Sequence, residues 1–119
     1  ILPASIAARL KRGEQRIADR FEAVTVLFAD LVNFTPLAAR RSAEEVVDLL
    51  NEIFSAFDRL VADRGLEKIK TVGDGYLVMA GAPHARADHA TVMADLALAM
   101  LDELNRIAAE AAARIRALP

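Results

Sequence analysis

Two acidic residues stand next to apolar segments that could bring them together. Asp30 ends the apolar run 24–29, and Asp74 lies between two glycines in the middle of segment 68–79. The run predicts a buried strand and the segment a β-hairpin. If the hairpin pairs beside the strand, both carboxylates reach the same edge of the sheet. Since neighbouring carboxylates repel and a hard divalent cation such as Mg²⁺ or Mn²⁺ relieves that repulsion, the pair indicates phosphate chemistry.

Each carboxylate also has a simpler explanation. An Asp after a strand most often caps a turn or a helix, and Asp74-Gly75 is a strong signal for a type I′ hairpin turn. The combination favours a site because residues 33–35 follow Asp30 and open a predicted helix, where free backbone N–H groups suit a polyphosphate. A cation site beside an anion site is what a metal–nucleotide complex requires.

Composition bounds the class of protein. The chain has 119 residues, enough for one compact domain, and 55% of them are hydrophobic, which excludes a disordered chain. The net charge of −2 argues against nonspecific nucleic-acid binding, and the absence of Cys excludes disulfides and thiolate metal sites. No apolar stretch approaches the roughly 20 residues of a membrane helix. Because the chain begins at Ile1 and not at Met, we expect a piece of a longer protein.

Periodicity and capping signals predict the elements that position these residues. A short amphipathic helix at 1–13 and a charged connector at 14–22 precede the first strand at 23–29. The near-continuous apolar character of that strand suits a central strand covered on both faces. Two helices, a hairpin and a last helix follow. Thr35-Pro36 indicates the start of the first helix, and the capping box from Ser42 and Gly65 indicate the start and the end of the second. The hairpin occupies residues 66–81, and Asp88 caps the last helix. The fold class is therefore α/β (α+β), ferredoxin-like or palm-like, β-α-α-β-β-α, with helices on one face of one sheet and closing strands missing at the C-terminal end.

Two of these segments resemble known motifs. Residues 28–35, Phe-Ala-Asp-Leu-Val-Asn-Phe-Thr, resemble the first metal motif of class III adenylyl and guanylyl cyclases, and residues 67–76, Glu-Lys-Ile-Lys-Thr-Val-Gly-Asp-Gly-Tyr, resemble the second. Residues 2–11, together with residues 17–22, look like the segment that transmits signals to bacterial cyclase domains. The resemblance implies a signal-transducing helix and connector at 1–22 and the N-terminal part of a catalytic domain at 23–119.

The resemblance also implies a metal and phosphate site. Asp30 and Asp74 would hold two Mg²⁺ or Mn²⁺ ions per site, helped by the Leu31 carbonyl. The phosphates would be bound by the backbone around the two carboxylates, at Asn33, Phe34, Thr35 and Gly73. The family usually has Gly where this chain has Asn33, and Asn tolerates the left-handed conformation better than most residues.

A purine-reading residue is implied as well. Lys70 matches the position where adenylyl cyclases carry Lys and guanylyl cyclases carry Glu. A Lys donor can meet the adenine N1 acceptor, whereas guanine offers N–H donors that a Glu could accept. Lys68 is the alternative, although it also suits a solvated strand position.

The activity implied for the parent protein is adenylate cyclase, a phosphorus–oxygen lyase that converts ATP to 3′,5′-cyclic AMP and pyrophosphate by two-metal catalysis in intracellular signalling. Cyclases of this family are homodimers with shared active sites. We expect a cytoplasmic catalytic domain, with a sensor or membrane anchor upstream in the parent. The family's adenine-contacting Asp, ribose-orienting Asn and transition-state Arg have no match here, so we expect the chain alone to be inactive.

Three alternatives stay open. A noncatalytic module could bind metal–nucleotide or a partner without turnover. A guanylate cyclase is possible, although Lys70 disfavours it. A diguanylate cyclase or polymerase places carboxylates similarly, but diguanylate cyclases carry Gly-Gly-Asp-Glu-Phe at the hairpin. His84 and His89 suit solvated or capping roles, and the three methionines, Met79, Met93 and Met100, suit the core.

Overall fold

The computed structural model describes residues 4–31, 39, 41–72 and 75–116, without the side chains of residues 70–72, 112 and 114–116. The chain forms a mixed α/β fold, as predicted. Its elements in chain order are α1 (Ala4–Lys11), β1 (Thr25–Asp30), α2 (Ala43–Asp63), β2 (Glu67–Val72), β3 (Gly75–Ala80) and α3 (His89–Arg116). The helix predicted to begin at Thr35-Pro36 falls on residues 32–38, outside the described part of the chain.

Helix α2 begins and ends at the residues that carry the predicted capping signals. The Ser42 hydroxyl accepts a hydrogen bond from the Glu45 N–H at 3.1 Å. At the other end Gly65 adopts φ +66°, and the N–H groups of Gly65 and Leu66 donate to the carbonyls of Ala62 and Val61, both at 3.0 Å. This is a Schellman motif, which satisfies the last carbonyls of the helix.

The three described strands form one antiparallel sheet in the order β1-β3-β2. Strand β3 is therefore central and β1 lies at one edge of the described sheet. The prediction that β1 is covered on both faces is wrong for the described structure, because Val26 and Phe28 are 53% and 57% exposed. An apolar run without alternation does not show which of its faces the helices cover.

Helices α2 and α3 pack on one face of the sheet, as predicted. The residues of β1 and β3 that face them pair in register, Leu27 with Val78 and Ala29 with Tyr76. The core is built from one face of each of these helices, from alternate residues of β3 and from Leu66 between α2 and β2: Ile53, Ala56, Phe57, Val61, Leu66, Tyr76, Val78, Ala80, Met93, Leu96, Met100 and Ile107. Met79 was expected in the core, but it pairs with Val26 on the opposite face.

Helix α1 is tied to the connector by ion pairs, and it contains no buried residue. It ends at Gly13, with φ +92°, as predicted. The Arg9 guanidinium donates to Glu14 at 2.9 Å and also to Asp19, and these hydrogen bonds raise the pKa of Arg9 and, at Asp19, lower the pKa of the carboxyl. Within the described residues, no helix combines the length and apolar character that crossing a membrane requires.

Candidate functional site

The pairing of β1 with β3 brings Asp30 to the same end of the sheet as Gly75, the residue that follows Asp74 in the sequence. Asp30 is the last residue of β1, and its register partner is Gly75, the first residue of β3. Gly75 follows Asp74 directly in the sequence. The hairpin therefore pairs beside the strand, as expected from the sequence. Asp74 and Gly73 themselves lie outside the described residues, as do Asn33, Phe34 and Thr35.

Asp30 lies on the face of the sheet opposite the helices. Its neighbours on that face of β1 are Val26 and Phe28, and Phe28 pairs with Leu77 of β3. Lys70 of β2 pairs with Leu77 from the other side, so its backbone position belongs to the same face.

Lys68 belongs to the other face. It pairs with Val78, whose side chain is fully buried beneath the helices. A register shift between Lys68 and Lys70 places the two residues on opposite faces of the sheet. Of the two lysines considered as purine readers, only Lys70 shares a face with Asp30. The register therefore favours Lys70.

The donor chemistry at Asp30 fits a hard divalent ion. The carboxylate is exposed, and no side chain that the structure describes forms a hydrogen bond or ion pair with it. Leu31, whose carbonyl is the other predicted ligand, follows directly and is half-buried. Among the described residues, no three His, Asp or Glu side chains lie close enough together to hold a metal ion. Of the two predicted carboxylates, the described part of the chain contains Asp30. Oxygen donors of this kind suit Mg²⁺ or Mn²⁺.

Behind the hairpin, three polar side chains meet in an arrangement that the sequence analysis missed. The Tyr76 hydroxyl donates to Asp58 Oδ1 at 2.6 Å, and Lys68 Nζ lies 3.2 Å from the same carboxylate oxygen. The Lys68 ammonium also lies 5.5 Å from the centre of the Tyr76 ring. Lys68 is therefore held in place and is not a freely solvated strand residue. Burial, together with the hydrogen bond to Asp58, raises the pKa of Tyr76 above its ordinary value.

Aromatic packing surrounds the Tyr76 ring. Its centre lies 5.7 Å from that of Phe54 and 5.4 Å from that of Phe57, the latter edge-on. Such tilted contacts are the favourable geometry for aromatic pairs. Apolar residues at helical spacing predict that Phe57 is buried. No pattern in the sequence indicates that Asp58 pairs with a tyrosine 18 positions later.

His89 also differs from its predicted solvated or capping role. Its Nδ1 lies 2.7 Å from the Thr25 hydroxyl, which joins the first residue of α3 to the first residue of β1. The contact is partly buried and spans 64 positions of sequence, so no local pattern could have indicated it.

Comparisons with known proteins agree on one family. The model of the adenylate and guanylate cyclase catalytic domain matches residues 17–117. An adenylate cyclase of Mycobacterium tuberculosis is 50% identical over 101 residues, which are 84% of this chain and 23% of that protein. The chain thus spans about a quarter of the length of this curated relative.

Solved structures show the same likeness. The adenylyl cyclase CyaB from P. aeruginosa matches with a TM-score of 0.72 at 26% identity, over 81% of this chain and 49% of that one. The guanylate cyclase domain of RhGC from Catenaria anguillulae, solved in complex with GTP, matches with a TM-score of 0.69 at 35% identity, over 71% of this chain and 47% of that one.

Proposed function

Because the chain belongs to the adenylate and guanylate cyclase catalytic-domain family, we propose that it forms part of an adenylate cyclase site on the exposed face of its sheet. The reaction is the conversion of ATP to 3′,5′-cyclic AMP and pyrophosphate. One observation carries the proposal. The strand register places Asp30 opposite Gly75, next to Asp74 in the sequence, and puts Lys70 on the same face.

The proposed roles of the residues follow from their chemistry. Asp30 and Asp74 hold two divalent ions, with the Leu31 carbonyl as a further ligand, and the backbone of Gly73 and residues 33–35 binds the phosphates. When bound, such ions offset phosphate charge and acidify the ribose 3′-hydroxyl. That oxygen bonds to the α-phosphorus, the bond from the α-phosphorus to its bridging oxygen breaks, pyrophosphate leaves, and the hydroxyl proton passes to solvent.

Substrate choice is assigned to Lys70. Its ammonium has only donors, and adenine N1 is an acceptor, whereas guanine presents an N–H at the same position. The 50% identity to a mycobacterial adenylate cyclase supports ATP as the substrate. A guanylate cyclase is the second candidate, since the neighbour solved with GTP shares 35% identity.

A second copy of this chain is the proposed partner. The face that carries Asp30 also exposes Val26 and Phe28, more than half of whose surfaces are accessible. Covering these side chains is favourable, and we propose that two copies meet through this face and share active sites. Residues 1–22 are proposed as the signal-transducing segment of this assembly, with the connector after α1 leading into β1.

The proposal is tested with the parent protein, meaning the full-length protein that contains this chain. Purified parent protein is given equal concentrations of ATP and GTP with Mn²⁺, and both cyclic nucleotides are measured. We expect cyclic AMP to exceed cyclic GMP by about tenfold or more, in keeping with the roughly 1–3 kcal/mol that an unpaired buried polar group costs. An excess of cyclic GMP would identify a guanylate cyclase. Binding of nucleotide without either product would identify a noncatalytic module.

A further inference from the structure

We propose that Asp58, Tyr76 and Lys68 form a positioning cluster, which fixes the β2–β3 hairpin against α2 and thereby sets the affinity of the site for its divalent ions. This inference rests on the proposed function, since it concerns the hairpin that carries Asp74. Each member comes from a different element, Asp58 from α2, Lys68 from β2 and Tyr76 from β3. The positioning cluster therefore joins both strands of the hairpin to one helix.

The geometry of the positioning cluster is directional. The Tyr76 hydroxyl donates to Asp58 Oδ1 at 2.6 Å, and Lys68 Nζ approaches the same oxygen at 3.2 Å. Hydrogen bonds to a carboxylate are stronger than neutral ones and depend steeply on distance and angle. The surrounding contacts of Tyr76 with Phe54 and Phe57 are broad apolar contacts, which tolerate small shifts of the ring. The hydroxyl thus fixes a position that packing alone leaves adjustable.

Position matters here because Tyr76 is close to the two acidic residues in sequence and in strand register. It is the second residue of β3, and its register partners are Ala29 in β1 and Thr71 in β2. Ala29 directly precedes Asp30, and Tyr76 follows Asp74 by two positions. Because Gly75 at the start of β3 is the point at which Asp74 joins the strand, a displacement of this end of β3 would shift the proposed ligand Asp74. Metal affinity is sensitive to the groups that orient the ligands.

A purely structural role explains the ring but not its hydroxyl. A Phe at position 76 would fill the same buried space, whereas the hydroxyl reaches a carboxylate whose side chain is 50% exposed and could be solvated by water instead. Among the described residues, Asp58 is the acceptor for both the Tyr76 hydroxyl and Lys68. The arrangement is therefore best explained as a fixed point for the hairpin.

The test measures Mn²⁺ binding directly by electron paramagnetic resonance in the parent protein, alongside cyclic AMP formation. Tyr76→Phe and Asp58→Ala should each raise the Mn²⁺ dissociation constant about 3- to 10-fold, less than the 10- to 100-fold typical of groups that contact a ligand directly. The KM for ATP at saturating Mn²⁺ should stay within about twofold. The double variant should be no weaker than the single ones, and Asp58→Asn, which keeps an acceptor for the hydroxyl, should recover part of the affinity.

Ile107→Val is the matched control. Ile107 is 2% exposed in the core on α3 and takes no part in the hydrogen bond or the ion pair of the positioning cluster, so its truncation lowers stability while leaving those polar contacts in place. We expect it to leave the Mn²⁺ dissociation constant unchanged. If Tyr76→Phe and Ile107→Val both lower the melting temperature and neither changes the Mn²⁺ dissociation constant, the positioning role is refuted while the cyclase assignment stands. If the parent protein makes no cyclic nucleotide but Tyr76→Phe still weakens Mn²⁺ binding, the proposed function fails and the positioning role stands. A wild-type protein that binds no Mn²⁺ overturns both.

Discussion

Lys68 and Lys70 are two residues apart on β2, yet the strand register assigns them to opposite faces of the sheet. Lys68 is engaged by Asp58 behind the hairpin, and the backbone of Lys70 lies on the face of Asp30. Residues two apart on a regular strand share a face, so the irregularity between the two lysines is what places them on opposite faces. At the scale of single residues, the two lysines therefore form a natural pair of test and control.

We predict that Lys70→Glu in the parent protein reduces selectivity for ATP over GTP. A Glu would face the adenine N1 acceptor and leave both groups unpaired, at a cost of about 1–3 kcal/mol in transition-state binding. GTP turnover need not appear. The measurement is kcat/KM for both nucleotides in competition. Lys68→Gln, the control, should leave the ratio unchanged. A change of selectivity in the Lys68 variant alone would move purine reading to the other face.

Tyr76 gives a prediction about alkaline stability. Its folded-state pKa is raised above the ordinary value of about 10, because burial and the hydrogen bond to Asp58 disfavour the phenolate. Below pH 10 both states keep the proton and the stability contribution is complete. Above it the unfolded chain releases the proton while the folded chain keeps it, so the free energy of unfolding falls by up to about 1.4 kcal/mol per pH unit. Urea unfolding between pH 9 and 11 should show this loss in the wild type and a shallower loss in Tyr76→Phe. Parallel curves would contradict it.

At the scale of elements, Gly65 and Gly81 require glycine for different reasons, Gly65 for its backbone conformation and Gly81 also for the close approach of a neighbouring backbone. Both have positive φ, +66° and +94°. A Cβ on Gly65 would meet only the end of the Arg86 side chain at 3.9 Å. A Cβ on Gly81 would collide with the carbonyl oxygen of Ala23 and lie 3.2 Å from the Cα of Val24. The loop after β3 therefore packs against the backbone of the two residues just before β1.

We predict that Gly81→Ala destabilises the protein more than Gly65→Ala does. The left-handed conformation costs an Ala about 1–2 kcal/mol at either position. The backbone collision at Gly81 adds roughly 1–3 kcal/mol, typical of overpacking. Urea unfolding of both variants measures the difference. Equal losses of unfolding free energy would show that the backbone of Ala23 and Val24 does not pack against Gly81 in solution.

Local chemistry explains which elements could be predicted from the sequence. The start of α2 at Ser42 and its end at Gly65 follow from side-chain and backbone rules that act within four or five residues. The burial of β1 on both faces was predicted wrongly, because an apolar run does not show how many layers cover it. The contacts of Tyr76 with Asp58 and of Thr25 with His89 were missed because each joins distant residues through the tertiary fold.

At the scale of the whole molecule, the candidate site lies on the face that the helices leave exposed. That face combines a carboxylate at Asp30 with the apolar side chains of Val26 and Phe28. The chain spans about half the length of the solved cyclase domains that it resembles. Catalytic activity is therefore proposed for the parent protein and not for this chain alone. We propose that Asp30, at the end of β1, and Asp74, which precedes β3 in the sequence, bind the metal ions of an adenylate cyclase.

Cyclic AMP formation by the parent protein carrying Asp74→Asn tests that claim most directly. Asn-Gly forms as good a hairpin turn as Asp-Gly, so the substitution preserves the turn and removes only the charge. We predict that cyclic AMP formation from ATP with Mn²⁺ is nearly abolished, while the melting temperature and the circular dichroism spectrum match those of the wild type. Activity retained within about threefold, with the same Mn²⁺ dependence, would show that Asp74 is a turn residue and would contradict the account.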